Sequence, residues 1–269
     1  MTTTAGRENW KLEARAVGKA FDNGGNLVEA IHEVTFSLRH NEIAVFLGPS
    51  GCGKSSLIRM IGGIERPTKG ELLLDGRAIS GPGPDRGIVF QAYASFPWLT
   101  VERNINFGLK ALRVPLSERC ERVRTWIETV GLTGFENAYP SALSGGMRQR
   151  LALARTLATH PDILLLDEPF AALDAQTRGE MQQLLLEIWG TYRTTVVFVT
   201  HDLREALYLA DRVFLMSPRP STIRDVVEVT LPRPRPREVM LSREFICLEE
   251  RLFAILRSGA SRANRFQTF

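Results

Sequence analysis

The chain has 269 residues, 44% hydrophobic and 24% charged, a balance that suits one large or two small globular domains around a substantial core. No apolar run approaches the roughly eighteen residues of a membrane-spanning helix, and the polar stretch Met1 to Trp10 lacks the apolar centre of a signal peptide, so a cytoplasmic protein is expected. Three scattered cysteines, Cys52, Cys120 and Cys247, match no metal-ligand spacing and fit a reducing compartment.

Val34–Leu38 and Glu42–Leu47 are short apolar stretches with a polar turn between them, and both suit strands. The second runs into Gly48-Pro-Ser-Gly-Cys-Gly-Lys-Ser55, a complete phosphate-loop pattern, and Ser55–Ile61 continues as a helix. In that context Gly48, Gly51 and Gly53 let successive N–H groups turn onto anionic oxygens, and the helix adds its positive end. Pro49, Ser50, Cys52 and Ser56 share the cradle, Lys54 reaches β- and γ-phosphates, and the Ser55 hydroxyl suits Mg2+. Cys52 reads as a tolerated small side chain, with a redox switch as the alternative. Asp75-Gly76, between Glu71–Leu74 and Arg77–Ile79, signals a two-residue hairpin, so antiparallel structure accompanies the nucleotide core. Gly87–Phe90 is a further apolar strand, followed directly by Gln91.

From residue 92 to 160 the pattern becomes helical. Ser117 is the expected N-cap of a helix carrying Cys120, Val123, Trp126, Ile127 and Val130, with Gly131 as its stop. A second helix is expected from about Gly145 to Ala158, ended by Pro161. Strands return at Ile163–Leu166 and Thr195–Val199, consistent with a parallel sheet between helices. Asp167 and Glu168 end the first of these. Two acids after a buried strand need a reason: Asp167 suits a Mg2+ site, and Glu168 suits a general base toward water. After Pro218 a strand is expected at Ile223–Val229, then a Pro/Arg segment (Leu231–Arg237) and a final helix with Phe245, Leu248, Leu252, Ile255 and Leu256 on one face. Residues 218–269 hold ten arginines against six acids, which accounts for the whole net charge of +4. The alternating prolines there favour an extended, solvated linker near anionic lipid head groups over the alternative of a nucleic-acid patch, and no nucleic-acid partner is expected. The reading is therefore a phosphate-loop NTPase α/β core with an antiparallel β subdomain (residues 1–91 and 161–217), a helical insertion (92–160) and a C-terminal strand, linker and helix (218–269).

Between the two halves of the phosphate site lies Leu143-Ser-Gly-Gly-Met-Arg-Gln-Arg150. Ser144, Gly145 and Gly146 open a helix, so their N–H groups form a second anion site. With this element the chain resembles the ATP-binding cassette ATPases over most of its length. The resemblance implies ATP and Mg2+ as cofactors, and a head-to-tail pair of cassettes in which each signature clamps the ATP on the partner's phosphate loop. It implies that Gln91 senses Mg2+ and the attacking water, that His201 bonds the γ-phosphate, and that Asp174 contacts the partner. Phe21 is implied as the aromatic stacking on adenine, and Gln149 joins Ser144, Gly145 and Gly146 in the signature site.

Pro84–Val101 and Asp167–Arg178 further resemble the cassettes of nitrate, taurine and alkanesulfonate importers, although Ser95 and Ala171 depart from that pattern. Tyr93, Phe96, Pro97, Trp98 and Leu99 make an expected apolar docking groove for a membrane subunit, or else pack within the insertion. The expected complex has a second ATPase subunit, two transmembrane permease subunits and, indirectly, an extracytoplasmic solute-binding protein, with the chain peripheral on the cytoplasmic face. The alternative is a soluble cassette ATPase serving a cytosolic assembly or nucleic-acid process. Only 90 residues separate Lys54 from Ser144, without heptads, which argues against the repair-type relatives.

Overall fold

The computed structural model describes residues 9–91 and 95–263, with side chains to Arg257. Three strands are buried at every position: β3 (Ile43–Leu47), β7 (Ile163–Asp167) and β8 (Thr195–Thr200). Such strands require a sheet covered on both faces. They run parallel, β3 beside β8 and β8 beside β7. Beyond β7 lies β6 (Arg86–Val89), also parallel, and beyond β3 lies β9 (Arg212–Met216). An antiparallel strand, β10 (Ile223–Glu228), forms the far edge.

Alternation along each strand divides the interior in two. Ile43, Val45, Leu47, Leu164, Leu166, Val196 and Phe198 face one core, with the long helix α5 (Ala175–Tyr192) and the short α6 (Leu203–Leu209). Ala44, Phe46, Leu165, Val197 and Val199 face the other, with α1 (Lys54–Ile61). That second core is closed by an antiparallel sheet of order β2-β1-β4-β5, made from β1 (Leu12–Asn23), β2 (Asn26–Leu38), β4 (Lys69–Leu74) and β5 (Arg77–Ala78). An aromatic cluster joins the two sheets: Phe46 stacks on Phe214 at 4.7 Å, and Phe36 meets Phe46 edge-on at 5.0 Å.

The segment between β6 and β7 is helical, with α2 (Val101–Ala111), α3 (Leu116–Thr129) and α4 (Gly145–Leu157). Leu151, Leu153 and Leu157 of α4 enter the first core together with Ile105, Leu109, Trp126 and Ile127. The expected cap at Ser117 is corrected: α3 starts at Leu116 with Pro115 in the cap position, because proline's φ of −55° already suits the helix entry. The terminal helix α7 (Arg243–Ala263) docks as its apolar face requires, with Phe245 and Leu252 fully buried.

The solvated linker is also corrected. Arg235 is only 5% exposed. Its guanidinium donates to the carbonyls of Ala210 (2.7 Å), Tyr208 (3.1 Å) and Leu207 (3.4 Å), and also to Leu231 (3.1 Å). Arg233 binds the Leu209 carbonyl at 2.7 Å and pairs with Asp211. The last carbonyls of α6 have no partner within the helix, and these two arginines supply one. Burial pushes the Arg235 pKa down to about 10.

Candidate nucleotide site

Parallel strands all present their C-terminal ends at one edge, and ligands bind at that edge in open α/β sheets. Here β3 delivers the phosphate loop, β7 delivers Asp167 and Glu168, and β8 delivers His201. Gly51 (φ +76°) and Gly53 (φ +111°) adopt left-handed backbone that a side chain would strain, and a Cβ on Gly51 would meet nothing within 4 Å. Pro49, Ser50 and Gly51 are exposed, so the concave face of the loop is open, while Cys52 is 1% exposed beneath it. Burial raises the Cys52 pKa, which keeps the thiol protonated and unreactive and favours the plain packing reading.

Lys54 is 3% exposed. Its ammonium donates to the carbonyls of Gly48 (2.8 Å) and Pro49 (3.0 Å) and lies 3.3 Å from Glu168 Oε1. The other Glu168 oxygen lies 3.0 Å from His201 Nδ1. Glu168 thus bridges a lysine and a histidine, and its own backbone is held in a left-handed conformation (φ +44°) by its N–H bond to Val199 O. A non-glycine residue kept there marks a site where geometry outweighs local strain. Beside it, Ser55 Oγ donates to Asp167 Oδ1 at 2.9 Å. Burial raises the Asp167 pKa, with the Ser55 bond opposing that shift. A half-buried hydroxyl and a buried carboxylate form an oxygen donor pair that fits a hard divalent cation.

Lys54, Ser55, Asp167, Glu168 and His201 are therefore brought together by direct contacts. Gln91 is exposed two residues beyond β6, which pairs with β7, so it lies at the same sheet edge. Phe21 is 39% exposed on β1, 4.9 Å under Lys19 Nζ. The signature forms a separate unit. Ser144 caps α4, its Oγ accepting from Met147 N, which leaves the Gly145 and Gly146 N–H groups without helical partners. Asp174 caps α5 by accepting from Thr177 N and Oγ1, contacts that lower its pKa. A Cβ on Gly146 would lie 2.5 Å from Thr177 Cγ2, so glycine is what lets the two helix starts pack together. Among the described residues no hydrogen bond or ion pair links this unit to the Lys54 cluster.

Gln149 does not belong to the outward-facing signature surface. Its side chain is 0% exposed and makes no hydrogen bond, because the helical turn that exposes Ser144 points position 149 into the core. Tyr93 lies outside the described residues. Of the expected groove, Trp98 is 69% exposed, Phe96 is half-buried beneath it at 5.5 Å, and Phe107 joins them 4.6 Å from Phe96.

Sequence reasoning missed a buried polar network behind His201. Glu205, 6% exposed, accepts from Thr200 Oγ1 at 2.6 Å and from Gln182 Nε2 at 3.0 Å, while Thr200 Oγ1 accepts from Asp202 N. Arg178, one turn before Gln182, binds the carbonyls of Phe170 and Leu173 in the loop after Glu168. Burial raises the Glu205 pKa. A cavity of about 40 Å³, enough for a water, lies between Glu168, His201, Arg178 and Glu205. The only sequence signal was a glutamate on the apolar side of α6.

Residues 31–171 match the family model described as ABC transporter. An uncharacterized ABC transporter ATP-binding protein of Methanocaldococcus jannaschii is 49% identical, the match covering 92% of this chain and 91% of that one. The nitrate import ATP-binding protein of a Synechocystis species is 40% identical (91% and 95% covered), and an aliphatic sulfonates import ATP-binding protein of Bacillus cereus is 44% identical (82% and 87%). Among solved structures, an ATP-binding cassette in a dimeric post-hydrolysis state bound to ADP and Pi is similar with a TM-score of 0.72 and 29% identity, over 82% of this chain and 100% of that one. The fold, the phosphate loop and these likenesses agree: the chain belongs to the ATP-binding cassette (ABC) transporter family, whose ATP-binding domain hydrolyses ATP.

Proposed function

We propose that the chain is the energy-coupling ATPase subunit of an importer for nitrate, taurine, an alkanesulfonate or a related small solute. It would work as one of a pair of cassettes at the cytoplasmic face, beneath two permease subunits. A separate extracytoplasmic binding protein would select the solute. The nitrate and sulfonate relatives support the solute class, and the exposed Trp98 with Phe96 and Phe107 supports a docking site for a permease helix.

The phosphate loop and Lys54 bind the β- and γ-phosphates, Phe21 receives adenine, and Glu168 accepts the proton of the attacking water. His201, already 3.0 Å from Glu168, holds that carboxylate and reaches the γ-phosphate. Ser55 and Asp167, with Gln91 at the edge, would hold Mg2+, which neutralises charge on the phosphates when bound. Lys54 contacts Glu168, and phosphate oxygens compete for that ammonium. Nucleotide entry thereby frees the carboxylate for water.

The observation that carries this reading is that one chain holds two anion cradles that do not meet. The N–H groups of Gly145 and Gly146 need a phosphate from elsewhere, and a second copy provides one. The test mixes two inactive variants. Lys54→Ala has no working phosphate loop, and Ser144→Arg has a signature that clashes with γ-phosphate. A mixed dimer regenerates one whole site, so mixing is expected to restore ATP-dependent pairing. If the subunits exchange and pairing is not restored, the shared-site reading is wrong.

A further inference from the structure

A second cavity, of about 520 Å³, lies at the far end of α5, away from the phosphate loop. Its walls are mostly apolar: Leu186 and Trp189 on one side, Pro234 and Pro236 on the other. The volume falls within the range of small-molecule sites. The proline wall is fixed in place, because Arg233 and Arg235 on the same segment are tied to the end of α6. The cavity is therefore preformed.

Two features set the chemistry of its occupant. The first is charge. Arg193, Arg233 and Arg235 line the cavity, and the Arg193 and Arg233 guanidiniums lie 4.6 Å and 4.2 Å from the Trp189 ring. Asp211 pairs with Arg233, and Glu187 at the rim accepts from Gln183. No carboxylate among the described residues pairs with Arg193 or Arg235. One positive charge is left over beside an apolar wall. The second feature is Gly190. A glycine weakens a helix relative to alanine, yet this one lies within α5, where a Cβ would meet no atom within 4 Å. No close packing demands it. A side chain at 190 would instead project into open space beside the cavity that the residue lines.

We propose that this cavity is a binding site for an amphiphilic monoanion, such as a medium-chain carboxylate, with its chain along Trp189, Leu186 and the prolines and its anionic head at Arg193. Arg193 is the group free to receive the head, since its guanidinium stacks on Trp189 and makes no other polar contact among the described residues. The proposal is independent of the transported solute and of the roles given to Glu168 and His201.

Octanoate is the probe, titrated into the full-length protein, and the indole N–H resonance of Trp189 is the reporter, assigned with Trp189→Phe. Octanoate is expected to shift that resonance saturably, while octyltrimethylammonium, of like chain length and opposite charge, leaves it in place. Arg193→Ala should weaken octanoate binding about tenfold or more, the loss of a charge-assisted contact. Gly190→Phe should abolish the shift by filling the space, with ATP hydrolysis retained as proof of folding. Should Gly190→Phe not fold, the arginine variant and the ammonium control decide alone. An unmoved Trp189 resonance overturns the proposal, and so does equal binding of the ammonium probe or undiminished binding by folded Gly190→Phe.

Discussion

Replacing Glu205 separates hydrogen bonding from charge in the network behind His201. Glu205→Ala strands two buried donors, the Thr200 hydroxyl and the Gln182 amide, each costing about 1–3 kcal/mol when left unpaired. Relief of the buried carboxylate's own desolvation offsets part of that, so a net loss of about 2–4 kcal/mol is expected, or roughly 5–15 °C in Tm for a chain of this size. Glu205→Gln keeps the volume. Its amide oxygen accepts from one donor, and rotation of the Gln182 amide or the Thr200 hydroxyl accommodates the other, so a loss within about 1 kcal/mol is expected. The pH dependence has a definite sign. The folded pKa of Glu205 is raised above the ordinary 4.5, so between 4.5 and the folded value the native state binds more protons than the unfolded one. Stability from this group is full below 4.5 and is lost as pH rises through the folded pKa, and Glu205→Gln removes that slope. Urea unfolding of the three proteins at several pH values measures both effects. Because Thr200 directly precedes His201, kcat for ATP hydrolysis should fall about ten- to a hundredfold in Glu205→Ala with KM little changed. Equal destabilisation by the alanine and glutamine variants would refute the hydrogen-bond argument.

Glu168→Gln keeps shape and removes the base, so ATP binding is expected to persist while turnover stops and ATP holds two chains together in size-exclusion chromatography; near-normal hydrolysis would remove Glu168 from that role. Lys54→Ala loses a charge-assisted phosphate contact of about 1.5–3 kcal/mol, hence about ten- to a hundredfold weaker nucleotide binding by titration calorimetry. Alanine at Phe96 and Trp98 together is expected to spare ATP hydrolysis and prevent co-purification with permease subunits. Unfolding of that double variant would instead assign the cluster to packing, with Arg155 4.9 Å from the Phe96 ring as part of it.

What the sequence disclosed and what it hid divide along a physical line. Phosphate chemistry dictates residues that are close in the chain, so Gly48–Ser55 reads directly, and the strands leading to it and to Asp167 read because burial on both faces leaves only apolar residues. β1 did not read. Its alternation is broken by register shifts between Ala14 and Val17 and again before Ala20, and charged Glu13 and Arg15 sit on its open face. The Pro/Arg segment misled for another reason. Composition shows three arginines that solvation would satisfy, but not the carbonyls of Leu207, Tyr208, Leu209 and Ala210 that come within their reach only once α6 has ended. Gln149 misled by proximity: five residues from Ser144 along a helix is more than one full turn, and the side chain faces the core.

α5 gives these separate pieces a common support. Its first residue follows the Asp174 cap, which packs on the signature helix through Thr177 and Gly146. One turn on, Arg178 holds the loop behind Glu168, and four residues later Gln182 holds Glu205 and, through it, Thr200 before His201. Residues four apart share a helix face, so both attachments move together with the cap. On the proposed head-to-tail pairing, a second cassette pressing on Asp174 would displace a rigid element already bonded to both sides of the Glu168–His201 pair. Under that pairing, hydrolysis linked to dimer formation would need no further moving part: the contact proposed to complete the nucleotide site would also bear on the helix that holds the proposed base, Glu168, and His201.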